Sequence, residues 1–351
     1  MSVFFFKRSI ILSFSFLMCF YLFSGETSEP PAIVLEEGKT TENRHKENTL
    51  SGTSNFPNIY LQETVKNIRI AEASLPVGAD TQAEAEKKNE PFLYPGSILL
   101  NNDILAYYGH PSSKNMGILG RHSKEVLNEK LKALAEEYKA VNNGRGVVTA
   151  FYIIYGTCWP GGDIGIISDK ILKEYIDYAA ENNMLVFLDH QIGKYDPVAS
   201  LKRMLPYLKY PNVHLALDPE WRTTKPMEEI GSVSADEINQ AQKVMGDYII
   251  ENNIPGEKML VIHQFNYVMI KNRKDVRSDF ERVRLILCMD GHGSPTKKRG
   301  TYAFNAEATN IPIKAFKLFY NEQGNTGVDE PLLTPKEVYE LKPRPMLIMY
   351  Q

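Results

Sequence analysis

The chain has 351 residues, of which 43% are apolar, and a formal net charge of -3 at pH 7. This length and composition allow a large buried core, arranged either as two domains of ordinary size or as one barrel. The small negative charge provides no basic surface for phosphate groups, so nucleic acid is not an expected partner.

The first 25 residues have the order of an export signal. Lys7 and Arg8 precede an apolar run from Ser9 to Phe23, and a polar stretch follows. The run is about 15 residues long, which is short for crossing a bilayer. Counting Val3 to Phe6 as well would make it long enough for an uncleaved anchor. We expect an exported protein, extracellular or associated with the cell envelope, that meets the membrane only through residues 1–25.

Residues 26–90 differ in composition from the rest of the chain. They are rich in Glu, Lys, Thr, Asn and Pro and contain few large apolar residues. Such a segment cannot bury enough apolar surface to fold alone, and we predict a disordered polar linker. The composition changes abruptly after Pro91. Residues 91–351 are therefore expected to form the folded domain.

From residue 104 onward, short apolar runs alternate with amphipathic segments, which is typical of repeated βα units. Eight strands are predicted, at 104–109, 146–155, 184–191, 213–220, 258–265, 283–290, 313–320 and 346–351. Helices are predicted at 123–141, 168–183, 196–210, 234–253 and 334–342, with weaker helical patterns at 267–277 and 299–309. Five of the helices begin at a capping residue: Ser123, Ser168, Asp196, Ser234 and Thr334.

This order of elements predicts an α/β fold, a single (β/α)8 barrel of the TIM type that ends on strand eight. The alternative is an open doubly wound sheet. That fold would carry a glycine-rich phosphate-binding turn after the first strand, and the sequence has none there. We favour the barrel.

Polar and aromatic side chains collect at the carboxyl ends of the predicted strands, where barrels of this type carry their active sites. Strands three, four and six end in carboxylates, which predicts an acidic, open pocket. The catalytic candidates are Asp218, Glu220 and Asp290. Contacts to substrate are expected from Asp189, Gln191, His263, His292, Lys317, Trp159, Trp221 and Tyr350.

On strand four, residues two apart should point to one face, so Asp218 and Glu220 should both face the barrel mouth. His190 has the opposite parity from Asp189 and should lie outside the pocket. Four of these candidate residues also have a purely structural interpretation. Asp218 and Asp290 could cap turns, and His263 and Lys317 could merely neutralise buried carboxylates.

Six segments together resemble a group of uncharacterised exported bacterial proteins, often labelled lipoproteins, with a glycosidase-like barrel. They are YYGHPSSKNMGILG, FLDHQIG, NVHLALDPEW, MDGHG, FKLFY and LKPRPMLIMYQ. The resemblance covers about residues 104–351. It implies a fold and a location, and it brings no established activity.

Glycoside hydrolysis, or binding of envelope or extracellular carbohydrate, is the first functional hypothesis. A glycosidase needs one protonated and one ionised carboxyl group beside the sugar bond. Asp218 and Glu220 resemble the end of the chitinase-type motif, which implies that Glu220 is the acid and that Asp218 orients the substrate. The earlier acidic positions of that motif fall on Ala216 and Val213 here.

Two other functions stay open. A metal-dependent hydrolase would use carboxylate and imidazole ligands from Asp189, Asp218, Glu220, His263, Asp290 and His292. The protein could also be a non-catalytic envelope protein that binds glycans with the same rim. The sequence alone assigns no metal and no cofactor.

Overall fold

A computed structural model describes residues 96–322 and 327–351 of the protein. The predicted signal or anchor (1–25), the predicted linker (26–90) and the first five residues of the predicted domain lie outside the described residues. The bounds of these three regions therefore stay predictions. Within the described residues, no helix is both long enough and apolar enough to cross a membrane.

Eight parallel strands form the centre of the molecule. They are β1 (Asn102–Gly109), β2 (Gly146–Cys158), β3 (Leu185–Gln191), β4 (Val213–Asp218), β5 (Lys258–His263), β6 (Val283–Met289), β7 (Ile313–Leu318) and β8 (Leu347–Tyr350). Each strand pairs with the next, and β1 pairs with both β2 and β8. The sheet therefore closes on itself, which confirms the predicted (β/α)8 barrel and excludes the open doubly wound sheet.

Helices surround the barrel in the predicted order. They are α1 (Lys124–Lys139), α2 (Asp169–Glu181), α3 (Pro197–Met204), α4 (Ala235–Glu251), α5 (Pro295–Ala306) and α6 (Pro335–Tyr339). Four predicted caps accept backbone N–H groups, and Ser168 precedes α2 without doing so. The weak helical pattern at 267–277 is wrong, because that segment forms two 3-10 turns around a two-residue strand, Ile270–Lys271.

Side chains of the strands alternate between two buried layers. One layer, including Leu105, Phe151 and Ile348, packs against the helices. The other fills the barrel interior and includes Ile104, Phe187 and Met349. Because successive residues of a strand point to opposite faces, a side chain's parity decides whether it reaches the pocket at the barrel mouth.

Buried lysines stabilise the opposite end of the barrel. The Lys258 ammonium donates to the carbonyl oxygens of Tyr210, Pro211 and Val213 at 2.8, 3.0 and 3.1 Å. Lys314, near the start of β7, donates to two carbonyl oxygens in the segment after α5. Both side chains satisfy carbonyl groups that would otherwise be buried without a partner.

Candidate active site

Interior side chains at the carboxyl ends of the strands form one cluster at the barrel mouth. They are Tyr108 on β1, Tyr152 on β2, Asp189 on β3, Asp218 on β4, His263 on β5, Asp290 just after β6 and Lys317 on β7. All seven are buried. Each has the parity of the interior layer of its strand, which is why strands far apart in sequence bring these groups together.

The His263 imidazole lies at the centre of this cluster. Its Nδ1 is 2.9 Å from the Asp290 carboxylate, and its Nε2 is 2.8 Å from the Tyr152 hydroxyl. Burial lowers the pKa of His263, but the carboxylates of Asp189, Asp218 and Asp290 outweigh burial and raise that pKa to about 9. At neutral pH the ring is therefore an imidazolium that donates both N–H groups.

A second contact set lies beside the imidazolium. The Tyr108 hydroxyl donates to Asp189 Oδ2 at 3.0 Å. The Lys317 ammonium lies 3.5 Å from the centre of the Tyr108 ring, a cation–π contact. Burial raises the pKa of Asp189, and the positive charges of His263 and Lys317 oppose that rise. The Lys317 side chain is only 4% exposed, and its ammonium makes no hydrogen bond or ion pair with a described residue.

Glu220 does not lie on β4, contrary to the predicted strand 213–220. The strand ends at Asp218, whose side chain accepts a hydrogen bond from the Glu220 backbone N–H at 3.3 Å and begins a 3-10 turn, Pro219–Trp221. Proline at the first position of the turn stops the strand ladder, because it has no N–H to donate. Glu220 is half-buried at the edge of the pocket.

The pocket is less acidic than its composition suggests. Burial raises the pKa of Asp218 well above its usual range. Burial, with the negative charge of Asp290, also raises the pKa of Glu220 to about 7. The positively charged His263 and Lys317 lie among these carboxyl groups, so the mouth that was predicted as acidic also contains positive charge.

Asp218, His263 and Asp290 could hold a metal ion as far as distance is concerned, since one ligand atom of each lies within 4.8 Å of the others. The chemistry of the donor set fits less well. Both ring nitrogens of His263 already make hydrogen bonds, and a metal binds only an unprotonated nitrogen. The imidazolium itself supplies the positive charge that these carboxylates need.

Other predicted contact residues lie around the mouth. Trp159, 56% exposed, follows β2 in a turn that leads to a short antiparallel strand, Ile164–Ile166. Trp221 is half-buried on the same turn as Glu220. His292 is exposed in the loop after β6, with its ring edge-to-face on Phe319 at 5.8 Å.

Gln191 is engaged within the barrel wall. It is buried at the end of β3, and its Oε1 accepts a hydrogen bond from the backbone N–H of Cys158 at 2.7 Å. The side-chain carbonyl therefore joins the ends of β3 and β2. Only the amide group is left for a ligand.

The structure does not bring Tyr350 to the pocket. Its side chain has the parity of Ile348 and lies in the layer between strands and helices, where its hydroxyl is 2.7 Å from that of Tyr138. Sequence reasoning also missed Tyr108 and Tyr152. These two residues pair in register on β1 and β2, and their parity with Ala106 and Ala150 was the available signal.

No family model matches the sequence, and no curated protein matches it. Several solved structures are similar in fold. A family 18 chitinase from Crocus vernus is 9% identical over 71% of this chain and 92% of that chain, with a TM-score of 0.39. The GH18 chitinase ChiB from Flavobacterium johnsoniae is 10% identical over 71% and 87%, with a TM-score of 0.40.

A structure of oxaloacetate acetylhydrolase is 12% identical over 72% of this chain and 75% of that chain, with a TM-score of 0.40. Similarity at this level assigns no role to any residue. The predicted (β/α)8 barrel is confirmed by the closed sheet of eight parallel strands.

Proposed function

We propose that the protein is an exported glycoside hydrolase in which Glu220 donates the proton to the leaving oxygen of a sugar bond. The observation that carries the proposal is the half-buried Glu220 carboxyl group, whose pKa burial and Asp290 raise to about 7. A general acid works best when its pKa is near the working pH. A carboxyl group with this pKa keeps a useful protonated fraction at neutral pH.

The other half of the mechanism needs an ionised carboxylate near the developing positive charge of the sugar. Asp290 supplies it, because its Oδ2 accepts a hydrogen bond from the His263 imidazolium at 2.9 Å. Burial raises the pKa of Asp218 well above its usual range, and this favours the protonated form, which can donate a hydrogen bond. It is placed to orient a polar group of the substrate beside Glu220, whose backbone it already contacts.

The remaining groups suit a polyhydroxylated ligand. The Lys317 ammonium has three N–H donors that no described residue uses, and sugar hydroxyls can accept such hydrogen bonds. The exposed Trp159 indole offers a flat apolar surface on which a sugar ring can stack. These features support carbohydrate of the cell envelope or the extracellular space as the substrate class.

The test is hydrolysis by the purified full-length chain of a panel of peptidoglycan and polysaccharide fragments, with products identified by mass spectrometry. Glu220→Gln should lower kcat by about 100-fold or more, since general acid catalysis contributes roughly 10²–10⁴. Glu228→Gln is the matched control, because Glu228 is exposed in the loop that follows Glu220. Full activity of Glu220→Gln would refute the assignment, and binding without hydrolysis would favour a non-catalytic glycan-binding protein.

A metal-dependent hydrolase is the second candidate, and the convergence of Asp218, His263 and Asp290 within 4.8 Å favours it. The two functions differ in their response to a chelator. The glycosidase should keep its activity in EDTA, because the His263 imidazolium, and no metal ion, supplies the positive charge beside the carboxylates. Loss of activity in EDTA and recovery with added Zn²⁺ or Mn²⁺ would favour the metal enzyme.

We also propose that the chain is exported, and this rests on Lys7, Arg8 and the apolar run from Ser9 to Phe23. Fractionation of expressing cells, followed by N-terminal sequencing of the mature protein, tests it. Recovery in the cytosol with an intact N-terminus would contradict export. Recovery in the membrane with the N-terminus intact would identify an uncleaved anchor.

A further inference from the structure

A buried ion pair lies beneath the pocket, outside the groups used above. Lys298 on α5 and Asp329 in the loop after β7 are 1% and 2% exposed, and Lys298 Nζ is 3.0 Å from Asp329 Oδ2. Two opposite charges so far from water are costly to bury unless their hydrogen-bonding capacity is used. Here both partners form hydrogen bonds with backbone groups that border the pocket.

Each partner contacts both strand ends that border the pair. Lys298 Nζ donates to the carbonyl oxygen of Gly291 at 2.8 Å and also to that of Lys317. Asp329 accepts from the backbone N–H of Gly293 at 2.9 Å and from that of Phe319 at 3.0 Å. The pair thus joins the segment after β6 to the end of β7.

These backbone positions belong to two residues of the pocket. Gly291 directly follows Asp290, whose carboxylate contacts His263. The carbonyl group that Lys298 binds is that of Lys317 itself, whose ammonium lies over the Tyr108 ring. Any movement of these backbone groups moves the Asp290 carboxylate relative to the imidazolium.

We propose that Lys298 and Asp329 are positioning residues that hold the Asp290 carboxylate against His263 and the Lys317 ammonium over Tyr108. This proposal stands whether or not sugar is the substrate, because it concerns the geometry of the pocket in the free protein. Neither residue touches the pocket's reacting groups through its own side chain.

Lys314 on β7 provides a matched control for Lys298. It is also a lysine with 1% exposure, and it donates to the carbonyl oxygens of Ala308 and Ile311, at the other end of the barrel. Replacing either lysine by methionine removes a buried ammonium and leaves carbonyl groups without a donor. Only Lys298 is connected to the pocket.

The experiment is an NMR titration of the His263 imidazole in the full-length chain, with its resonances assigned by comparison with His263→Gln. In the unsubstituted protein we expect a midpoint of about 9. In Lys298→Met the midpoint should fall by about one pH unit, because Asp290 is no longer held at 2.9 Å. Loss of the Lys298 charge alone would raise the midpoint, so a fall reports displacement of Asp290. Lys314→Met should leave the midpoint unchanged.

Two further variants keep the test decisive if Lys298→Met does not fold. The double variant Lys298→Met/Asp329→Asn removes one charge of each sign, so direct charge effects on His263 largely cancel, and it should still lower the midpoint if the pair holds Asp290 in place. Lys298→Arg keeps the charge and should bring the midpoint back towards that of the unsubstituted protein. If Lys298→Met or the double variant lowers the unfolding temperature as Lys314→Met does but leaves the His263 midpoint unchanged or raises it, the pair is only structural and the proposal is wrong.

Discussion

The His263 imidazole and the Asp290 carboxylate lie 2.9 Å apart. Because His263 lies among the aspartates, its protonation state affects the charge that each of them experiences. The carboxylates of Asp189 and Asp218 raise the pKa of the same ring. Because like charges repel strongly at low dielectric, the imidazolium is what allows three aspartates to share one buried pocket.

The first prediction concerns stability as a function of pH. Folding raises the pKa of His263 from 6.5 to about 9, so its stabilisation is complete below pH 6.5 and is lost as pH rises through 9. The raised pKa of Glu220 acts in the same direction between pH 4.5 and about 7. The contribution of His263 to the free energy of unfolding should therefore fall by about 3 kcal/mol between pH 5 and pH 9, while the lowered pKa of Lys258 acts in the opposite direction above pH 7.

Urea unfolding of the unsubstituted protein and of each variant at pH 5, 7 and 9 isolates these contributions. The difference in free energy of unfolding between the unsubstituted protein and His263→Gln should shrink between pH 7 and 9, and the difference for Glu220→Gln should shrink between pH 5 and 7. A difference that stays constant over its range would contradict the raised pKa of the group concerned.

The second prediction concerns the pH dependence of hydrolysis. If Glu220 is the general acid, kcat/KM should fall as pH rises through about 7, where the carboxyl group loses its proton. The positive charge of Lys317 lowers the pKa of Glu220. Lys317→Met should therefore move the alkaline limb of the profile to higher pH by about half a unit to one unit.

The exposed Lys297 supplies the control for this shift. Lys297→Met removes the same charge from the surface, where solvent screens it, and should leave the alkaline limb in place. An unchanged limb in Lys317→Met would show that another group than Glu220 sets the profile.

Much of this fold could be predicted from sequence because each barrel strand is a short, nearly continuous apolar run followed by a capped helix. Because these runs are uniformly apolar, they do not show which side chains point into the barrel and which point towards the helices. In MLIMYQ every residue from Met346 to Tyr350 is apolar or aromatic, so no alternation shows that Met349 points inward and Tyr350 outward. Tyr108 and Tyr152 went unnoticed for the same reason.

The charge of the pocket could not be predicted for a different reason. The pKa of Glu220 depends on its burial and on the positions of Asp290 and Lys317, which come from other strands. Composition counts carboxyl groups but does not show which of them are protonated. The turn that removes Glu220 from β4 was visible in the sequence as Pro219, which cannot continue a ladder.

The third prediction compares Tyr350, which lies in the layer between strands and helices, with Tyr108, which lies in the barrel interior. Tyr350→Phe loses the 2.7 Å hydrogen bond to Tyr138 in the outer layer and should cost about 1 kcal/mol of stability with unchanged kcat/KM. Tyr108→Phe removes a hydrogen bond to the Asp189 carboxylate and should lower kcat/KM by about 10-fold or more. Steady-state kinetics and thermal unfolding are measured for both variants. A lowered kcat/KM in Tyr350→Phe with an unchanged kcat/KM in Tyr108→Phe would contradict the prediction.

The fourth prediction concerns Lys258, the ammonium at the end of the barrel opposite the pocket. Three carbonyl oxygens surround its Nζ, and only the charged form of lysine has three N–H groups to donate. Burial lowers the pKa of Lys258 to about 7, so the charged form prevails at pH 6. Lys258→Met should therefore lower the free energy of unfolding at pH 6 by about 3 kcal/mol, since three buried acceptors lose their donor.

Lys130→Met is the control for this change, because Lys130 is exposed on α1, and a surface substitution of this kind is usually worth less than about 0.5 kcal/mol. Urea unfolding at pH 6 compares the two variants. The pocket lies at the other end of the strands, so the His263 titration should be the same in Lys258→Met as in the unsubstituted protein. Equal stability of Lys258→Met and Lys130→Met would mean that water reaches the three carbonyl groups, and that this end of the barrel is more open than the hydrogen bonds of Lys258 indicate.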